Sequence, residues 1–280
     1  MKLAYLIFSL AIFSVSAEAA MTKTAITIKL GDSDIGINIY ENSGSELTFV
    51  SLHHNEQTSV NAAKEFIAQN GGRLVELISV NAAGKPQRNV EFTIGGETYK
   101  LDPNRIFTEN GRRCGSMNGF SAQIGAFADE FLRLVLGPNE SGRKFVIALH
   151  NNSDADIKPA AARAADLTAI SFVRSISKTQ SFSGQSAGVF ISNTETDADN
   201  FIFMTDPMKI GYFAGKGFNV VLQKTADELS SKACAVDDGS LSVYAAQNGI
   251  DYICLEADAS GFERQREMIK AVYELFSAKH

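Results

Sequence analysis

Between Thr24 and Tyr40, Ile26, Ile28 and Leu30 alternate with polar neighbours. The run Gly31-Asp32-Ser33-Asp34 intervenes, and Ile35, Ile37 and Ile39 take up the alternation again. A period of two broken by a Gly/Asp turn predicts a β-hairpin. Leu47-Thr48-Phe49-Val50-Ser51-Leu52 predicts a short strand that ends at His53. From Gln57 to Asn70 the apolar positions become 60, 63, 66 and 67, a helical spacing that stops at Gly71-Gly72. Leu74 to Ser79 predicts another strand, and Val90 to Leu101 a small hairpin turning at Gly95-Gly96.

Ser121 to Leu136 is amphipathic and ends at Gly137-Pro138, a strong helix stop. Phe145-Val146-Ile147-Ala148-Leu149 is continuously apolar up to His150, which suits a strand buried on both faces. Residues 151–200, rich in Ser, Asn, Asp, Thr, Gln and Gly, are expected mostly as long loops. Phe201–Met204, Phe218–Leu222 and Tyr252–Leu255 predict three more strands, with helices near 207–215, 240–248 and 261–278. Strands alternating with helices predict an α/β fold: a mixed, largely parallel central sheet with helices on both faces. Neither a repeat of fixed period nor a linker divides residues 20–280, which are expected to form a single domain.

The first residues change the picture of where this domain works. Lys2 precedes the uncharged run Leu3–Val15, and Ser16-Ala17-Glu18-Ala19-Ala20 follows. That order is a secretory signal peptide, 1–19, cleaved after Ala19. The run is shorter than the ~20 apolar residues of a membrane span and has no polar face for packing as an amphipathic helix. The expectation is an exported protein, periplasmic or secreted, with no membrane span in the mature chain. Export permits a disulfide, and Cys114, Cys234 and Cys254 allow one; the sequence alone does not choose the pair. A hydrophobic fraction of 45% with 21% charged residues is globular composition, and a net charge of −6 argues against a nucleic-acid partner.

Four histidines, at 53, 54, 150 and 280, make the placement of each informative. His53-His54-Asn55-Glu56, His150-Asn151-Asn152 and Glu256 each follow an apolar strand. In open α/β sheets the crevice beyond the carboxyl ends of the strands is where ligands bind. His53 and Glu56 form an H-x-x-E pair at a strand-to-helix turn, and His150 from a distant strand completes a two-His, one-carboxylate set. That set suits catalytic zinc, because a fourth position stays open. Glu256 stands out because a carboxylate near a buried strand needs a partner or a task. Cys254 faces the same way as Glu256 and is expected as a small residue at the floor of the site. His54 is expected outside the ligand set, His280 has no role, and Asp154 and Asp156 are expected as solvated loop carboxylates.

One further run, Lys100-Leu101-Asp102-Pro103-Asn104-Arg105-Ile106-Phe107, lies downstream of Arg88. With it the sequence resembles the zinc carboxypeptidase superfamily, including its succinylglutamate desuccinylase and aspartoacylase branch. His53-His54-Asn55-Glu56 is similar to the His-Gly-Asn-Glu of that branch, with His54 in place of glycine. Asp102-Pro103-Asn104-Arg105 is similar to its Asp-Leu-Asn-Arg, and His150 and Glu256 follow in matching order.

The resemblance implies one zinc per chain held by His53, Glu56 and His150. It implies Glu256 as general base and Arg88 as stabiliser of the oxyanion. Asn104 and Arg105 would hold a substrate carboxylate, for which a guanidinium fork is suited; the simpler alternative for Arg105 is an ion pair with Asp102. Tyr244 corresponds by position alone to the substrate tyrosine of the carboxypeptidases. The activity implied is hydrolysis of an amide next to a free carboxylate, by a carboxypeptidase acting on peptides, with cell-wall peptides suggested by export. An N-acyl amino acid deacylase is the alternative, and a non-catalytic binding module of the same fold a third.

Overall fold

A computed structural model of the chain describes residues 20–115, 118–137, 145–152, 186–190, 192–193, 196, 200–230, 234 and 236–277. The expected signal peptide at 1–19, Asp154, Asp156 and His280 lie outside the described residues, as does most of the stretch expected as loops.

Among the described residues, nine strands form one sheet: β1 (Thr22–Leu30), β2 (Ser33–Asn42), β3 (Thr48–Ser51), β4 (Gly72–Leu77), β7 (Phe145–Asn152), β8 (Ser186–Phe190), β9 (Phe201–Met204), β10 (Val220–Gln223) and β11 (Asp251–Asp258). Their spatial order is β1-β2-β4-β3-β7-β11-β9-β10-β8, and β5 (Val90–Ile94) and β6 (Glu97–Leu101) form a separate hairpin. The middle pairings β4–β3, β3–β7 and β7–β11 are parallel. The flanks are largely antiparallel: β1–β2 and β2–β4 on one side, β11–β9 and β10–β8 on the other, with β9–β10 parallel. The sheet is therefore mixed. The first hairpin imposes one flank, since strands joined by a tight turn can only run antiparallel.

Successive residues of the central strands point to opposite faces, and both faces are covered. Val50, Val75, Ala148 and Cys254 point to the side packed by α3 (Ser121–Leu136) and α5 (Leu241–Gln247). Their neighbours Phe49, Leu74, Ile147 and Ile253 point to the side packed by α1 (Gln57–Asn70), α4 (Ile210–Gly215) and α6 (Phe262–Ser277). A short helix, α2 (Glu109–Cys114), precedes α3 in the chain. Gly71 ends α1 at φ 80, donating its N–H to the Ile67 carbonyl, and a Cβ there would strike the Ser43 backbone.

Two strands run further than the apolar runs suggest. β7 extends through His150 to Asn152, and β11 extends through Glu256 to Asp258. The ladder continues past the hydrophobic residues, pairing His150 with Glu256, Asn151 with Ala257 and Asn152 with Asp258. His150 and Glu256 thus lie within strands, next to each other and fixed by backbone hydrogen bonds. Where the polar composition of 151–200 suggested loops, Ser186–Phe190 pairs as an edge strand with β10.

Of the three cysteines, Cys114 at the end of α2 is bonded to Cys234, with Cα atoms 5.5 Å apart, and Cys254 is free and buried. A closed loop of this length is worth roughly 5 kcal/mol in chain-entropy terms.

Candidate metal centre

The turn after β3 creates the first half of the site. The Glu56 N–H donates to the His53 carbonyl at 3.0 Å, which turns the two side chains towards each other. His53 Nδ1 then lies 2.7 Å from Glu56 Oε1. Glu56 is the N-cap residue of α1, where the helix dipole favours a negative charge. The second half comes from β7, where His150 Nδ1 lies 2.9 Å from Glu56 Oε2. The next residue, Asn151, accepts the Ser59 N–H at 2.8 Å and ties the first turn of α1 to the same strand. His53, Glu56 and His150 are 0%, 4% and 6% exposed, and one ligand atom from each falls within 4.8 Å of the others. The cluster sits at the carboxyl ends of parallel strands, in the last rungs of the ladder and just past β3. It lies where the chain leaves β3 for β4 on one side and β7 flanks β3 on the other, a topological switch point.

Asp102 and Arg88 close the cluster from the side of the small hairpin. His53 Nε2 lies 2.9 Å from Asp102 Oδ1, and that same oxygen accepts the Asn104 N–H at 2.8 Å. Arg88 donates to Glu56 Oε1 at 3.2 Å and to Asp102 Oδ2 at 3.4 Å, while its side chain stays 41% exposed. Burial disfavours charge on His53, Glu56 and Asp102, and the contacts each makes with charged neighbours outweigh it. The Glu56 and Asp102 carboxylates raise His53 to about 9, and His150 and His53 lower Glu56 to about 2. Despite its burial, Asp102 is held well below the usual carboxylate range by His53, Arg105 and Arg88.

Glu256 reaches the cluster from β11, beside His150. One oxygen, Oε1, accepts the Cys254 thiol at 3.2 Å; the other, Oε2, is buried without a hydrogen-bond partner among the described residues. His150, Cys254 and Glu256 also place ligand atoms within 4.8 Å of one another.

The expected carboxylate clamp is organised by a loop that the sequence did not single out. Asn104 Oδ1 accepts the Leu241 N–H at 2.9 Å, and Arg105 forms an ion pair with Asp238 at 3.4 Å rather than one with Asp102. Gly239, at φ 79, lies so close to the Arg105 carbonyl and to Gly111 that a side chain would not fit. Asp237 fastens the same loop by accepting the Thr108 hydroxyl at 2.6 Å. Tyr244 lies on α5, half-buried and near Asp129 of α3, and no hydrogen bond among the described residues joins it to the cluster. His54 turns away from the cluster, with Nδ1 2.7 Å from the Ser79 carbonyl oxygen and Nε2 3.8 Å from Glu76.

The residues present fit a zinc ion. Two imidazole nitrogens and a carboxylate converge, and the far nitrogen of His53 is bound by a carboxylate, the arrangement that orients a metal-ligating histidine. The sequence contained a signal for Asp102, since a metal-bound histidine calls for such a partner, but nothing in the spacing joined it to His53.

The architecture is that of an α/β protein with a candidate metal centre at its switch point. No family model and no curated protein matches the chain. Solved structures similar to it include a succinylglutamate desuccinylase/aspartoacylase from Rhodobacter sphaeroides. That match has 14% identity and a TM-score of 0.41, covering 95% of this chain and 67% of the other. An aspartoacylase family protein from Mesorhizobium loti matches at 14% identity and a TM-score of 0.40, covering 94% of this chain and 68% of the other. The ectoine utilization protein EutE (DoeB) from Ruegeria pomeroyi matches at 14% identity and a TM-score of 0.37, covering 91% and 69%. At these scores the functional reading rests on the residues of the site itself.

Proposed function

We propose that the protein is an exported zinc-dependent hydrolase that cleaves an amide bond next to a free carboxylate. The observation that carries this reading is the buried convergence of His53, Glu56 and His150, with Asp102 behind His53 and Glu256 beside His150. A zinc ion held by the three would supply Lewis acidity and activate water near neutral pH.

The chain's own residues supply the remaining parts. Glu256 takes the proton of the attacking water at Oε2 and delivers it to the leaving nitrogen as the C–N bond breaks. Arg88 directs its guanidinium at the developing oxyanion, a role for preorganised positive charge. Asn104 and Arg105 hold the substrate carboxylate, Arg105 by exchanging Asp238 for it. Removal of a C-terminal residue from peptides, cell-wall peptides among them, is the first reading of the substrate. Hydrolysis of N-acyl amino acids is the second, favoured by Asn55, which gives the first motif the His-x-Asn-Glu form of the desuccinylase branch. The Cys114–Cys234 disulfide supports export, because such bonds persist in oxidising compartments.

Zinc-loaded protein incubated with N-blocked dipeptides and, separately, with N-acetylated or N-succinylated amino acids tests the proposal. Release of a free amino acid from one set, abolished by chelation and restored by zinc, is expected. Glu256→Gln should abolish turnover while zinc stays near one per chain. A zinc-loaded protein that binds these compounds and hydrolyses none of them is a binding module instead.

A further inference from the structure

The free thiol of Cys254 has no place in the scheme above, yet it touches the group that scheme depends on. Tyr252, Cys254 and Glu256 occupy one face of β11, because side chains two apart in a strand point the same way. Tyr252 and Cys254 are 2% and 3% exposed, so the face is dry up to the carboxylate. Cys254 Sγ lies 3.2 Å from Glu256 Oε1. The other carboxylate oxygen, Oε2, is buried and has no hydrogen-bond partner among the described residues. The two oxygens of Glu256 are therefore not equivalent.

We propose that Cys254 is a positioning residue that donates its S–H to Glu256 Oε1 and so reserves Oε2 for the water that attacks the substrate. This rests on Glu256 being the general base. The remaining cysteines are committed to each other, which leaves Cys254 reduced and able to donate. Burial, reinforced by the neighbouring Glu256 charge, pushes its thiol pKa well above the ordinary value and keeps the hydrogen on sulfur. A thiol is a weak donor, enough to select one rotamer of a partly buried carboxylate whose thiol-side neighbours are closed to solvent. It forms no bond to substrate and changes no oxidation state; its part is to fix an angle.

The test does not depend on finding a good substrate. With Cys114 and Cys234 in a disulfide, Cys254 is the sole thiol of the three cysteines, so its S–H stretch is a single assignable infrared band. The band should vanish in Cys254→Ala. In Glu256→Gln, which replaces the charged acceptor by a weaker neutral one, it should move to higher wavenumber. A band that stays in place in Glu256→Gln overturns the proposal whatever the enzyme's substrate. Kinetically, Cys254→Ala should lower kcat several-fold, up to about 10-fold, with KM nearly unchanged and zinc near one per chain. Cys254→Ser, which keeps a donor, should retain most of kcat.

Equal kcat in the alanine variant and the parent, or loss of zinc from the alanine variant, also overturns it. If instead Glu256→Gln remains active while its band shifts, the thiol contact stands and the general-base reading falls.

Discussion

His53 Nε2 lies 2.9 Å from Asp102 Oδ1, so the far nitrogen of the imidazole is committed to a carboxylate and the near one is turned into the site. That contact leaves Nδ1, the nitrogen beside Glu56, as the one that would meet a metal, and it comes from a residue just after the β5–β6 hairpin. It also gives Asp102 three duties: orienting His53, accepting the Asn104 N–H and holding Arg88. Asp102→Asn preserves shape and removes the charge. The expected outcome is a 10- to 100-fold loss of zinc affinity or activity, roughly the effect of deleting such outer partners. Competition for zinc against a chelator of known affinity measures it, and unchanged affinity and activity would place Asp102 outside the centre.

The histidines divide cleanly. His53→Ala and His150→Ala should each lose the metal, because each removes one of the converging nitrogens. His54→Ala should retain it, since that ring is bound to the Ser79 carbonyl and points towards Glu76. Metal analysis of the three purified variants decides the matter; a zinc-free His54→Ala protein with an intact fold would contradict the assignment.

Much of this was legible before the structure because strand periodicity and strand ends are local properties. The H-x-x-E pair could be read because a single turn, closed by the Glu56 N–H to the His53 carbonyl, sets its geometry. The two-faced sheet could be read because Phe49 and Val50, or Ile147 and Ala148, are adjacent apolar residues that must point in opposite directions. What could not be read depends on contacts between distant segments. Asp102 meets His53 across 49 positions, and Leu241 meets Asn104 across 137. Cys114 finds Cys234 across 120, and no spacing rule selects that pair from three. The extents of β7 and β11 were underestimated for a different reason. His150 and Glu256 end the apolar runs, but ladder hydrogen bonds are made by backbone and continue through polar side chains.

The charges in the cluster predict opposite limits to its stability in the metal-free protein. His53 is raised from 6.5 to about 9, so its contribution is complete below pH 6.5 and is lost as pH rises through about 9. Glu56 is lowered from 4.5 to about 2, so its contribution is complete above pH 4.5 and is lost as pH falls through about 2. Both are intact only between about pH 4.5 and 6.5. Zinc requires the near nitrogen of His53 without its proton, so metal and proton compete there. The increase in Tm that zinc confers should therefore be larger near pH 9 than near pH 6. Equal increments at the two pH values would show that His53 carries no such proton in the metal-free fold.

Arg105 offers a test of how the substrate carboxylate is met. Its guanidinium is 44% exposed and pairs at 3.4 Å with Asp238, which is 16% exposed. The pair is therefore at the rim, where such interactions are worth about 0.2–1 kcal/mol. A substrate carboxylate that binds Arg105 must displace Asp238, and that cost enters KM but not the chemical step. Asp238→Asn should accordingly lower KM, by no more than about fivefold, and leave kcat near its original value. Arg105→Lys should raise KM, because an ammonium cannot reproduce the bidentate fork. A rise in KM in Asp238→Asn would mean instead that Asp238 aims Arg105 at the substrate rather than competing for it. Steady-state kinetics on whichever of the two substrate sets is turned over distinguishes these outcomes.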